Sequence, residues 1–255
     1  MAIRQIVVAC FLLFPSLCLA EVSFEQLYTI HLQKLSYIEE KQPAKAILFS
    51  ATPGMGKSEI SRALSPHYHA VLISSDEMRK TLKEHGIYRD DRPTSENEVI
   101  YRQFAAYFID RLFHEYPNHF YLFDSSVDRK YPLLKAALDA YGLETVLVRL
   151  EVPREIVEQR LIEREEHPEY FLRNLDKWFA DYEAFDLSAV DIFFDNSGLL
   201  DIPLLIEQID QLHFNRVLWK MITDERDAIN DTSRPYDLET GIPSCHRPDQ
   251  LSLSW

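Results

Sequence analysis

Residues 46–49 form a short apolar run, Ala-Ile-Leu-Phe. It passes directly into Ser50-Ala51-Thr52-Pro53-Gly54-Met55-Gly56-Lys57-Ser58 and then into a helical stretch ending at Leu64. No other feature constrains the fold as tightly, because strand, glycine loop and helix in this order place a row of backbone N–H groups at a helix N-terminus, a ready site for phosphate. The loop fits the pattern Gly-x4-Gly-Lys-Ser/Thr with Ala51 at the opening position. Gly54 and Gly56 give the backbone room to wrap a polyphosphate, Lys57 can bridge its terminal phosphates, and the Ser58 hydroxyl can ligate Mg²⁺. Thr52, Pro53, Gly54, Met55, Gly56, Lys57, Ser58 and Glu59 are therefore the candidate cofactor-binding residues. An ordinary Gly-rich turn is the alternative, and it needs neither the strand before nor the helix after.

Downstream, apolar runs of strand length at residues 70–73, 120–123, 145–152 and 191–194 alternate with helical segments near 77–83, 96–114, 132–140, 154–164 and 203–214. Continuous apolar strands interleaved with helices predict an α/β fold with a parallel sheet covered on both faces. Residues 24–40 read as a helix preceding the main domain, closed by Gln42-Pro43. Beyond Trp219 the periodicity fades, and residues 220–255 are expected to be a loosely ordered tail. The hydrophobic content of 46% supports a real core, while six Gly among 255 residues and the lack of repeats exclude collagen-like and solenoid architectures. A formal charge of −14 excludes a polybasic grip on nucleic acid or membrane, so any anion site must be built locally.

The first twenty residues differ from the rest. Arg4 precedes an unbroken apolar run at 6–14, Pro15 breaks it, and Cys18-Leu19-Ala20 ends in a small residue before Glu21. That is the layout of a secretory signal peptide, with a buried N-terminal strand or helix as the alternative. The run is too short to span a bilayer and no later segment supplies a span, so no stable membrane insertion is expected. Two of the three Cys lie in this leader, so the mature chain would keep only Cys245 and form no internal disulfide.

Three further groups carry chemistry. At Ser74-Ser75-Asp76-Glu77-Met78-Arg79 the second strand runs into a helix, and in an open parallel sheet its end shares a crevice with the glycine loop. Asp76 can there accept the proton of an attacking hydroxyl or orient a metal-bound water, or it can merely cap the helix, as Ser74 and Ser75 also can. Phe123-Asp124-Ser125-Ser126 ends an apolar strand in the form of a Walker B aspartate that helps hold Mg²⁺, or of a plain turn residue. Arg149, Arg154, Arg160, Arg164 and Arg173 crowd into an otherwise acidic chain. Arg160 and Arg164, four apart on one helix face, could close over a transferring phosphoryl group, or could pair with the nearby glutamates. His67-Tyr68-His69 lacks metal spacing, and Tyr101, Phe104, Tyr107, Phe108 and Phe113 read as a core stripe.

In this order the motifs resemble the P-loop small-molecule and polynucleotide kinases, including the zeta-toxin-like group, over roughly residues 44–200. The resemblance rests on the glycine loop, Ser74-Ser75-Asp76-x-x-Arg79, Asp124-Ser125-Ser126 with Arg129 beyond it, and Val148-Arg149-Leu150-Glu151-Val152-Pro153 followed by Arg160 and Arg164. It implies a three-layer α/β sandwich with five parallel strands in the order 2-3-1-4-5, a helical lid over about 153–173, and a kinase domain over 44–219. It further implies ATP with Mg²⁺, Lys57 and Asp76 with Arg160 and Arg164 as catalytic residues, and Ser58 and Asp124 at the metal. Arg79, Ser125 and Arg129 would then meet the substrate. Ala51 departs from the family's glycine, and Ser125-Ser126 from its more frequent Ala-Thr, which leaves the acceptor open. The expected activity is transfer of a phosphoryl group to a hydroxyl of a small molecule, nucleotide sugar or polynucleotide end. Nucleic acid enters only as such an end. A non-catalytic ATP-binding module that engages a protein is the alternative. With the leader, the expected place is periplasmic or secreted, and the need for ATP points to action inside a host or competitor cell.

Overall fold

The computed structural model describes residues 22–230, with side chains described through 223. The expected leader lies outside the described residues, as do residues 231–255 of the expected tail and Cys245. The chain divides into two units, Met1–Ile206 and Glu207–Trp255. The first holds the sheet. Its elements run α1 (Phe24–Leu32), β1 (Lys45–Ser50), α2 (Lys57–Tyr68), β2 (Val71–Ser74), α3 (Ser75–Glu84), α4 (Thr94–Glu115), β3 (Phe120–Ser126), α5 (Tyr131–Ala140), β4 (Glu144–Glu151), α6 (Arg154–Arg164), α7 (Pro168–Glu183), a 3₁₀ turn (Leu187–Ala189) and β5 (Ile192–Asp195). A last helix, α8 (Ile202–Asn230), starts in the first unit and makes up what is described of the second. No helix among the described residues is long and apolar enough to cross a membrane.

The sheet has five strands in the order β2-β3-β1-β4-β5, and every pairing is parallel. This is the expected α/β order. β1 sits at the centre with its five residues Ala46 to Ser50 buried, as a strand covered on both faces must be. The register pairs Ser74 with Asp124, Phe49 with Ser126, and Ser50 with Arg149. The carboxyl ends of β2, β3, β1 and β4 therefore finish side by side, where ligands bind in open α/β sheets.

Several expectations need correction. The helix at 24–40 stops at Leu32, where the chain turns and Tyr37 takes φ 62°. α1 starts with a capping box between Ser23 and Gln26, buries Leu27, Tyr28 and His31, and sets Phe24 against Phe104 and Tyr107 of α4. Residues 168–183, which the expected lid over 153–173 overlaps only at its end, form helix α7, whose Leu175, Phe179 and Tyr182 are buried. The expected loose tail begins as helix, since α8 carries through residue 220 to Asn230. In the expected aromatic stripe, Phe104, Phe108 and Phe113 are fully buried in the core, but Tyr101 also faces the crevice described below.

His31 bears on stability. Its Nδ1 lies 2.9 Å from the buried Thr81 hydroxyl, which also accepts from Lys34 Nζ at 3.1 Å. Burial, reinforced by the Lys34 charge, pulls its pKa from the ordinary 6.5 to about 4. The fold thus holds the neutral ring, the unfolded chain takes up a proton first, and the contribution of His31 is present above pH 6.5 and lost as pH falls through 4. The full effect is about 3 kcal/mol. Urea unfolding at pH 7 and pH 4.5 should show wild type losing clearly more stability than His31→Gln. Equal losses would place the acid sensitivity elsewhere.

Candidate active site

The glycine loop begins where β1 ends and closes on the N-terminus of α2. Gly56, at φ 92°, occupies the cap position, and no side chain caps the helix. A Cβ there would stand 2.4 Å from Asn196 Nδ2, so both backbone conformation and space demand glycine. Gly54, at φ 88°, is pressed by α6: a Cβ would meet Val157 Cγ1 at 2.9 Å and Leu161 Cγ at 3.1 Å. α6, the helix carrying Arg160 and Arg164, is thus packed directly on the loop backbone. Ala51, at the opening position, is fully buried.

Lys57 folds back on the loop, its Nζ donating to the Thr52 carbonyl at 2.8 Å. Desolvation of the ammonium lowers its pKa to about 8, with Arg164 pushing the same way and Asp124, Asp128 and Asp76 pulling against it. Those four groups consequently share the neighbourhood of one ammonium. The Ser58 hydroxyl donates to Asp124 Oδ1 at 3.0 Å. Burial raises the Asp124 pKa, against that hydrogen bond and the Lys57 charge. Two adjacent hard oxygens fit Mg²⁺, whose six-fold sphere is ordinarily completed by phosphate oxygens and water rather than by a protein cage.

Asp76 stands on the first turn of α3, two residues past the Ser74–Asp124 register pair. The helix is capped by Ser74, whose Oγ accepts from the Glu77 N–H. Asp76 is therefore not needed as the cap. Its side chain is 88% exposed and accepts from Arg79 Nη1 at 3.3 Å. Arg79 also makes a two-pronged contact with Glu98, at 3.1 and 3.3 Å, and lies 4.0 Å over the Tyr101 ring. Ser125 Oγ is 3.4 Å from Lys130 Nζ, and Arg129 pairs with Asp181 at 3.2 Å. Glu59 is exposed on the first turn of α2.

Four of the five arginines make distinct contacts. Arg149, 7% exposed, is internal: it donates to Ser50 Oγ at 3.1 Å and the Tyr182 carbonyl at 3.0 Å and stacks 3.5 Å from the Tyr182 ring. It ties the end of α7 to the strand that feeds the loop. Arg154 is committed to Glu158 and Asp176. Arg160 donates to the Asn196 carbonyl at 2.8 Å, and Arg164 donates to Glu165 while its charge acts on Lys57.

Asn196 and Asp128 were not singled out by the sequence. Asn196, 4% exposed, follows β5 and donates from Nδ2 to the Met55 carbonyl at 2.8 Å, clamping the loop from the far side of the sheet. Its Asp-Asn-Ser-Gly context reads as a turn, and only the fold reveals the contact. Asp128 accepts from Ser126 at 2.8 Å and faces both Lys57 and Arg149. Asn196→Ala would leave the Met55 carbonyl unpaired, a loss of about 1–3 kcal/mol that should appear as roughly tenfold or weaker Mg-ATP binding in a calorimetric titration. Unchanged affinity would make the clamp irrelevant to the loop.

A family model described as an AAA domain matches residues 47–184, more than half of the chain. No curated protein matches. Among solved structures, the chain is similar to a putative kinase from Chloroflexus aurantiacus, at 16% identity and TM-score 0.46, covering 67% of this chain and 98% of that one. It is similar to a structure from the PezAT toxin–antitoxin system of Streptococcus pneumoniae, at 19% identity and TM-score 0.48, covering 69% and 78%. A shikimate kinase from Acinetobacter baumannii, solved with shikimate, matches at 18% identity and TM-score 0.43, covering 71% and 98%.

Proposed function

The chain belongs to the AAA-domain family, and on that premise we propose that it is an ATP-dependent phosphotransferase that moves the γ-phosphoryl group onto a hydroxyl of a small molecule. The observation that carries this reading is the meeting of Lys57, the Ser58–Asp124 pair and Asp76 at the ends of three neighbouring strands. ATP with Mg²⁺ would supply the transferable group and neutralise part of its charge. Ser58 and Asp124 would hold the metal, and the backbone of residues 52–58 would cradle the phosphates. Lys57 must leave the Thr52 carbonyl to reach them, and on a phosphate the ammonium would exchange that one carbonyl bond for charge-assisted ones. Asp76, exposed beside the same crevice, can take the proton from an acceptor hydroxyl as that oxygen attacks. Arg164 lies close enough to act on Lys57 and could meet charge developing on the transferred group, whereas Arg160 serves through Asn196 and the loop.

Incubating the purified chain with Mg-ATP and pooled hydroxyl compounds, and following the ³¹P resonances, should yield ADP and a new phosphate ester in equal amounts. ATP left intact by every pool would reduce the chain to a nucleotide-binding module.

We also propose export. The leader pattern of residues 1–20 motivates it, and the requirement for ATP then places the working compartment in a recipient cell. Sequencing the N-terminus of the protein from fractionated producing cells should find the chain starting at Glu21 outside the cytoplasm. A chain starting at Met1 and confined to the cytoplasm would remove the proposal.

A further inference from the structure

Helix α7 meets different parts of the protein along three of its sides. Asp176 and Phe179 turn toward α6, where Arg154 pairs with the first and lies 5.6 Å from the ring centre of the second. Tyr182 turns into the core, donating to the Leu150 carbonyl of β4 at 2.9 Å and stacking with Arg149. Asp181 turns the other way, to Arg129 just beyond β3. At about 100° per residue, Tyr170, Phe171, Asn174 and Trp178 share the Asp181 side, within roughly a third of the helix circumference. That side therefore looks away from α6 and along the carboxyl end of β3, toward the ground that Asp76 and Asp124 occupy.

Three of these residues are aromatic and gather into one cluster. Tyr170 meets Phe171 edge-on at 5.5 Å between ring centres and Trp178 at 6.2 Å, and Phe171 lies 6.1 Å from Trp178. Leu175, Phe179 and Tyr182 are the buried residues of α7, so the helix has its anchorage without this second cluster. Tyr170 remains 56% exposed, and Phe171 and Trp178 are half-buried. Across the crevice stands Tyr88, whose hydroxyl donates to Glu98, the partner of Arg79. Burial and then Glu98 hold the Tyr88 hydroxyl above its ordinary pKa, and Tyr170 adds to the shift, as a ring reaching over from α7 would.

From this geometry we infer that the phosphoryl acceptor carries a flat unsaturated ring, which lies against Tyr170 and Trp178 while its hydroxyl faces Asp76. The inference rests on the phosphotransferase reading for the role of the hydroxyl, but ring binding can be measured without turnover. Aromatic side chains hold a planar ring by stacking, whatever hydrogen bonds that ring also carries. A puckered, saturated ring of nearly the same size cannot lie flat on them and loses that contact. Preference for planarity is therefore the signature of such a platform, and general apolar packing does not produce it.

The test is calorimetric titration of the full chain, saturated with Mg-ADP to occupy the glycine loop, with two matched pairs of probes. One pair is uridine and dihydrouridine, the other phenyl and cyclohexyl β-glucoside. In at least one pair the flat member should bind wild type about tenfold or more tightly than its saturated partner. The variant carrying Tyr170→Leu and Trp178→Leu should lose that preference, whereas Tyr170→Phe with Trp178→Phe should keep it, both with wild-type Mg-ADP affinity. Tyr170→Leu alone, at an exposed position, should weaken the preference and serves where the double variant does not fold. No preference for the flat member in either pair, or a preference that the leucine substitutions leave intact, overturns the inference. Failure of Mg-ADP itself to bind would strike the phosphotransferase reading, while the comparison within each pair would still decide the ring site.

Discussion

Replacing Lys57 with alanine is expected to abolish the rise in melting temperature that Mg-ATP gives the wild-type chain. At a hundredfold excess over Kd a ligand stabilises by about 2.7 kcal/mol, which for a unit of this size is roughly a 5–10 °C shift. The Lys57 ammonium lies folded on the loop that would carry the phosphates, and its pKa of about 8 records how poorly that position satisfies a charge. Phosphate oxygens would give it charge-assisted hydrogen bonds in place of a single carbonyl. Alanine removes those bonds and leaves Asp124 and Asp128 facing the polyphosphate without the intervening cation. A variant that still shifts like wild type would mean that the loop does not cradle phosphate.

Asp76→Asn should leave the Mg-ATP melting shift in place and lower turnover by about 10²-fold or more, the usual scale of general acid–base catalysis. The two readouts separate because Ser74, not residue 76, caps α3, so asparagine at 76 costs the helix little. The side chain is exposed and its contact with Arg79 is made by an oxygen that asparagine can also present. What disappears is the ability to take a proton. Equal turnover in the two proteins would leave Asp76 as an acidic residue favoured at a helix start and nothing more.

The sheet and its order were legible because the strands are apolar runs of the right length and the motifs fall at strand ends in a familiar sequence. β1 is the clearest instance, with its glycine loop immediately after Ser50. Helix α7 was legible too: Phe171, Leu172, Leu175, Phe179 and Tyr182 recur at helical spacing, whereas the expected lid ended near 173 and left 174–183 without an element. The end of α1 was not legible, since apolar residues continue to Ile38 and the turn after Leu32 depends on how the chain must reach β1.

Within the site, Lys57, Ser58, Asp76 and Asp124 were readable from local pattern. Asn196 was not. Asn196 matters through a bond to Met55 across 141 residues of chain. Arg160 shows the converse: its spacing from Arg164 put it correctly on one helix face, but the contact it makes is with the Asn196 carbonyl. Helical periodicity specifies a face and cannot specify the partner that the face will meet.

The most direct measurement is a single-turnover experiment, with the purified chain in excess over [γ-³²P]ATP in the presence of Mg²⁺ and pooled hydroxyl compounds. The label should leave ATP and appear on an organic acceptor in wild type, much more slowly in Asp76→Asn, and not at all in Lys57→Ala. Label that remains in ATP, or that appears only as inorganic phosphate, would contradict the assignment of this crevice to phosphoryl transfer.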